Sequence, residues 1–181
     1  MNTQPGSVYN LTPISGEEET HTLSVLVDNE PGVLARVVGL FSGRGYNIDS
    51  LTVSEVEHES HLSRITIVTT AKPMIIVQIR NQLDRLVCVH RVIDLTATGK
   101  PLERELALVK VAGRGENRVE SLRLAEAYRA QVIDATIEHF VFEITGRTSK
   151  IEQFITIMQP LGLVEVSRTG IAAVARGPEG L

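Results

Sequence analysis

Twice along this chain of 181 residues the apolar side chains run through one order: strand, helix, strand, strand, helix, strand. In the first pass Leu23, Val25 and Val27 alternate over residues 22–27, the period of two of a half-buried strand. Asp28-Asn29-Glu30-Pro31-Gly32 punctuates it, with Pro31 suited to a first helical position and Asp28 or Asn29 to a cap. Leu34, Val37, Val38 and Phe41 then recur at helical spacing as far as Gly43-Arg44-Gly45. Residues 48–56 and 62–69 form a hairpin around the polar tip Glu57-His58-Glu59-Ser60. Pro73 opens a second helix marked by Ile76, Ile79, Leu83 and Leu86, and residues 87–96 return as a strand.

After Ala97-Thr98-Gly99-Lys100-Pro101 the order restarts. Residues 106–111 are a strand, Gly113-Arg114-Gly115 a turn, and Leu122, Ala125 and Tyr128 a helical stripe. Residues 131–137 and 140–145 are two strands, Ile151, Phe154, Ile155 and Met158 mark the fourth helix, and Pro160 and Gly162 end it. Residues 163–168 close the pattern, and 171–174 read as an extension of that strand. Two βαββαβ units predict an α+β chain of two consecutive ferredoxin-like domains, each an antiparallel four-stranded sheet with its helices on one face. The expected boundaries are a flexible arm at 1–19, a first domain at 20–97, a hinge at 98–101, a second domain at 102–176 and a tail at 177–181. Each sheet would leave its other face bare, and a second copy is the simplest cover, so a homodimer is expected.

Composition excludes several classes of function. Apolar residues make up 43%, enough for a core, and with no Trp that core must come from Val, Ile, Leu and Ala. A net charge of −4 with scattered Lys and Arg offers no basic stripe for nucleic acid. No apolar run approaches the ~18–20 residues that span a bilayer, so no membrane association is expected. The first 19 residues lack the basic and apolar regions of a signal peptide, and Cys88 is the single cysteine. Both features predict a reducing, cytoplasmic setting.

Catalytic chemistry finds no foothold. There is no nucleophile elbow, Cys88 falls within an apolar strand, and the five histidines are dispersed. His58-Glu59-Ser60-His61 has the spacing of a metal pair without a third ligand nearby, so neither a catalytic residue nor a metal ligand is assigned. Gly113-Arg114-Gly115-Glu116-Asn117-Arg118 follows a strand as a dinucleotide loop does, yet Arg118 stands at the third glycine, and a tight turn is the better reading. The turn at residues 28–34 is more informative. A helix N-terminus attracts a carboxylate, Gly32 admits a ligand to the backbone, and Asn29 can accept from an ammonium group or donate to a carboxylate. An α-amino acid carries both groups, though the same residues also suit an ordinary strand-to-helix turn. Gly43-Arg44-Gly45-Tyr46-Asn47-Ile48 is open in the same way. It reads as a helix C-cap, or as a polar and an apolar residue, Asn47 and Ile48, offered to a small ligand at a dimer contact.

Leu26-Val27-Asp28-Asn29-Glu30-Pro31-Gly32-Val33-Leu34 resembles the first loop of ACT domains, the ferredoxin-like amino-acid sensors. Val38-Gly39-Leu40-Phe41-Ser42-Gly43-Arg44-Gly45-Tyr46-Asn47-Ile48-Asp49-Ser50-Leu51-Thr52-Val53 closely resembles the small, regulatory subunit of acetolactate synthase. Ser63-Arg64-Ile65-Thr66-Ile67, Arg104-Glu105-Leu106-Ala107-Leu108-Val109-Lys110 and Val164-Glu165-Val166-Ser167-Arg168-Thr169-Gly170 continue the likeness, which covers about residues 20–177. The resemblance implies a non-catalytic subunit that activates a large catalytic subunit carrying thiamine diphosphate, Mg²⁺ and FAD, with no cofactor in this chain. It implies feedback inhibition by valine, with leucine and isoleucine as alternative effectors, bound between two ACT domains in branched-chain amino acid biosynthesis. Carried over by motif, Asn29 and Gly32 would hold the effector's amino and carboxylate ends, Val33 and Leu34 would line the pocket, and Asn47 and Ile48 of the partner chain would close it. The alternative is a stand-alone ACT-type regulator of another enzyme or of transcription. The chain has no helix-turn-helix of its own, so DNA contact would need another chain.

Overall fold

Alternation along the first strand decides the architecture. Leu23, Val25 and Val27 of β1 (Glu19–Asp28) point to one face and are buried, and the helices pack there. The computed structural model describes residues 16–57, 61–178 and 180. In it β1 pairs antiparallel with β3 (Leu62–Ala71) over all ten residues and with β4 (Val89–Asp94) on its other side. β2 (Ser50–Glu57) takes the outer edge of β3, giving the order β2-β3-β1-β4. α1 (Val33–Ser42) and α2 (Pro73–Leu83) cover one face, and Val37, Phe41, Ile65, Ile67, Ile79 and Leu83 fill the space between.

The second half repeats the plan with β5 (Leu102–Val111), α3 (Glu116–Ala127), β6 (Gln131–Ala135), β7 (Phe140–Gly146), α4 (Thr148–Met158) and β8 (Leu163–Arg168). Its sheet runs β6-β7-β5-β8, and its core gathers Val109, Phe142, Ile144, Ile151, Phe154 and Met158. Both halves are thus the ferredoxin-like units that the repeated pattern predicts. Among the described residues no helix is long and apolar enough to cross a membrane.

Four local readings change. α1 starts at Val33 behind Gly32, whose left-handed φ of 88° makes it the cap; neither Asp28 nor Asn29 caps the helix with its side chain. β4 begins at Val89 because residues 84–87 turn out of α2, leaving Val87 99% exposed. Residues 171–174 do not extend β8. Gly170 (φ 81°) redirects the chain, and β9 (Ala172–Val174) pairs with the start of β5, Leu102↔Val174 to Arg104↔Ala172. The predicted arm falls mostly on residues 1–15, and the hairpin tip on His58, Glu59 and Ser60, outside the described residues; Glu19, placed in the arm by sequence, is paired with Ala71 in β1.

The bare face of the first sheet is also revised. Thr22, Ser24, Thr66 and Val68 point away from the helices, yet all are buried. Gly170 lies against Ser50 and Thr52 of β2, while Ala175 and Arg176 line a groove with Arg91 and Ile93 of β4. Four strands spaced about 4.8 Å apart span roughly 15 Å, within reach of six extended residues. The 170–175 segment therefore crosses the helix-free face of the first sheet from one edge to the other. It is a strap from the second half laid over the first.

Candidate functional site

The loop between β1 and α1 is built to hold its shape. Asp28 N–H donates to the Cys88 carbonyl at 3.0 Å and Asn29 N–H to the His61 carbonyl at 2.7 Å, which pins the loop to the starts of β4 and β3. His90 Nε2 lies 2.6 Å from Asp28 Oδ1. With its own backbone fixed, Asn29 presents its side chain to solvent, and Gly32 offers open space where a Cβ would stand. Val33 N–H reaches the Glu30 carbonyl at 3.3 Å and Arg36 N–H the Gly32 carbonyl at 3.1 Å. The backbone N–H groups of Leu34 and Ala35 meet no acceptor among the described residues, so this end of α1 keeps the partial positive charge that suits a carboxylate.

The two apolar residues assigned to this site part company. Leu34 is 42% exposed and can line a surface pocket, whereas Val33 is 3% exposed and belongs to the core. Val33 and Val37 are one turn apart on the buried stripe of α1, which fixes Val33 inward once the helix begins there.

Asn47 and Ile48 occupy the opposite end of α1, whose ten residues separate the two clusters by about 15 Å. Within one chain they do not meet Asn29 and Gly32. Ile48 is half-buried against the first core, and Asn47 is exposed. Sequence reasoning passed over Asp49, which holds Asn47. Asn47 Nδ2 donates to Asp49 Oδ1 at 2.6 Å, and Thr70 Oγ1 donates to Asp49 Oδ2 at 2.7 Å. Thr69 Oγ1 donates to the Asn47 carbonyl at 2.6 Å. The available signal was the Asn-x-Asp spacing, which puts both side chains on one face of an extended chain.

A second feature lies between the halves: a cleft of about 1350 Å³ lined by Thr20, Asp49, Ser50, Lys100, Glu105 and Arg168 among others. Glu105 is 4% exposed, and Arg168 grips it through Nε (2.7 Å) and Nη2 (2.8 Å). The hydrogen bond to Glu105 outweighs desolvation and raises the Arg168 pKa above its ordinary value. On the helix-free face of the second sheet, the hydrogen bond and charge of Lys110 lower the pKa of the exposed Glu165 carboxyl. Stability from that pair is present above the ordinary carboxylate range and is lost as pH falls through the lowered value. Among the described residues no three His, Cys, Asp or Glu side chains gather as a metal site.

Comparison with known proteins places these features. The family described as "AHAS small subunit-like ACT domain" matches residues 23–91, and "Small subunit of acetolactate synthase" matches residues 104–177. The acetolactate synthase small subunit of Mycobacterium leprae is 43% identical over 90% of this chain and 95% of its own. The acetolactate synthase isozyme 3 small subunit of Escherichia coli is 42% identical over 86% of this chain and 94% of its own. The crystal structure of the small subunit from Thermotoga maritima superposes with a TM-score of 0.79 at 39% identity, covering 89% of this chain and 99% of that one. This chain belongs to the family of acetolactate synthase small subunits, the regulatory chains of that enzyme.

Proposed function

We propose that this chain activates the large catalytic subunit of acetolactate synthase and makes it answer to valine, bound between two copies of its first half. The observation that carries this reading is the separation of the two candidate clusters along α1. Asn29, Gly32 and Leu34 at one end and Asn47 and Ile48 at the other are complementary halves of an amino-acid site, and a second chain is what brings a left half to a right half. β2 supports it as the edge strand nearest such a partner, with Val53 and Val56 exposed. The free N–H groups of α1 receive the effector carboxylate, Asn29 pairs with the polar ends, and Leu34 with the partner's Ile48 encloses the branched side chain. Thiamine diphosphate, Mg²⁺ and FAD belong to the large subunit in this reading, and the assembly works in the cytoplasm.

A sensor that tracks a metabolite pool binds near the pool concentration, roughly 0.1–1 mM, or about −4 to −5.5 kcal/mol. One helix end and a small apolar pocket suffice for that. Valine then inhibits only by as much as it prefers the less activating arrangement of the assembly. The test is thermal unfolding with and without valine, beside holoenzyme assays. At about 100 times the Kd, valine adds roughly 2.7 kcal/mol and raises the midpoint by several degrees. Asn29→Ala abolishes the shift and the inhibition while activation persists. Loss of activation in folded Asn29→Ala would overturn the assignment of Asn29 to sensing.

A further inference from the structure

We infer that the strap residues Thr169, Gly170 and Ile171 relay the state of the effector loop at residues 47–49 to the second half of the chain, an inference that rests on the effector reading above. The contacts are continuous. Asn47, a proposed effector ligand, is hydrogen-bonded to Asp49, and Asp49 is tied in turn to β3 through Thr70 Oγ1 and through its own N–H to the Val68 carbonyl (2.8 Å). The next residue, Ser50, begins β2, and its Oγ accepts the Ile171 N–H at 3.0 Å. Thr169 fastens the strap to β5 on the other side: its N–H donates to the Leu106 carbonyl (3.0 Å), and its Oγ1 accepts from the Leu106 N–H (3.1 Å). One residue earlier, Arg168 grips the buried Glu105 of the same strand.

Gly170 makes the joint intimate. A Cβ there would stand 2.8 Å from Thr52 Oγ1 and 2.9 Å from Ser50 Oγ, and its φ of 81° already disfavours a side chain. The strap backbone therefore lies directly on the start of β2 and cannot hold still if that start moves. An effector that draws the Asn47 amide away from Asp49 removes one of the bonds that hold the loop leading into Ser50, and Ser50 passes that change to the strap through its bond to the Ile171 N–H. The cleft itself offers little to a charged ligand. Its lining mixes Lys100, Arg147 and Arg168 with Asp49, Glu103, Glu105 and Glu152, so it carries no strong charge of one sign.

The experiment uses holoenzyme reconstituted with the large subunit and compares wild type, Ser50→Ala and Gly170→Ala. Ser50→Ala removes one acceptor and adds no bulk, so it keeps the test alive should Gly170→Ala fail to fold. Three quantities are read: activation without valine, valine affinity of the small subunit alone, and residual activity at saturating valine. The relay predicts activation and affinity near wild type, while the inhibitory coupling falls at least about fivefold, the lower range of allosteric factors. It also predicts that valine changes hydrogen-exchange protection of the Ile171 amide in the wild type, which a merely structural contact would not do. Full inhibition of both variants overturns the relay and leaves the effector reading standing. Loss of activation in both variants also overturns it, by making the strap part of the docking surface. A wild type indifferent to valine, leucine and isoleucine defeats the effector reading, and the relay with it.

Discussion

Glu105 is the residue whose placement asks most of its neighbours. It stands in phase with Ala107, Val109 and Val111, so the period of two that makes β5 half-buried carries a carboxylate into the interior. Two nitrogens of Arg168 and the Thr148 hydroxyl (3.3 Å) answer it. Removing one partner of such a pair costs more than removing both. Arg168→Ala should therefore lower unfolding stability in urea by about 2–4 kcal/mol, near the lower figure because Arg168 keeps some solvent contact. Glu105→Leu with Arg168→Met should recover most of the loss. The core-phase position of Glu105 was legible in the sequence; its partner, 63 residues away, was not. The candidate site divides in the same manner. Asn29, Gly32 and Leu34 are accessible, but Val33 turns inward, because it lies one turn before Val37 on the buried stripe of α1.

At the scale of elements, the repeated strand and helix order was readable because each run has one dominant period. What escaped was pairing. Residues 171–174 announce a strand, yet nothing local says that its partner is the start of β5, since a strand carries its own alternation and never its neighbour's identity. The helices differ in how firmly they are held. α4 buries Ile151, Phe154 and Met158, whereas α3 buries only Ser121 and Ala125. With so little apolar anchorage, α3 should exchange its amide hydrogens well before α4 in native-state exchange. Equal protection of the two helices would show that α3 is held by something other than its own packing.

The whole molecule has two cores and a polar seam. One core gathers around Phe41 and Ile67, the other around Phe142 and Phe154, and among the described residues hydrogen bonds between the halves run through hydroxyls: Thr22 to Glu103 at 2.6 Å and Ser50 to Ile171 at 3.0 Å. Phe154→Ala should destabilise the second half by about 3–5 kcal/mol and leave the first near its wild-type melting, giving two resolved calorimetric transitions. A single lowered transition would mean that the seam couples the halves fully. The repeat made the two units legible in sequence; the seam was hidden because hydroxyls in alternating strands look like any solvated face.

The strap also fixes an order of events during synthesis. The first βαββαβ unit ends at Asp94, so it is synthesised ahead of every strand and helix of the second and can fold around its own core before they are made. Its helix-free face must then wait, with Ser24 and Thr66 uncovered, until residues 170–175 emerge. For that interval the nascent first half presents an open sheet to its surroundings, and a neighbouring nascent chain is at hand to meet it.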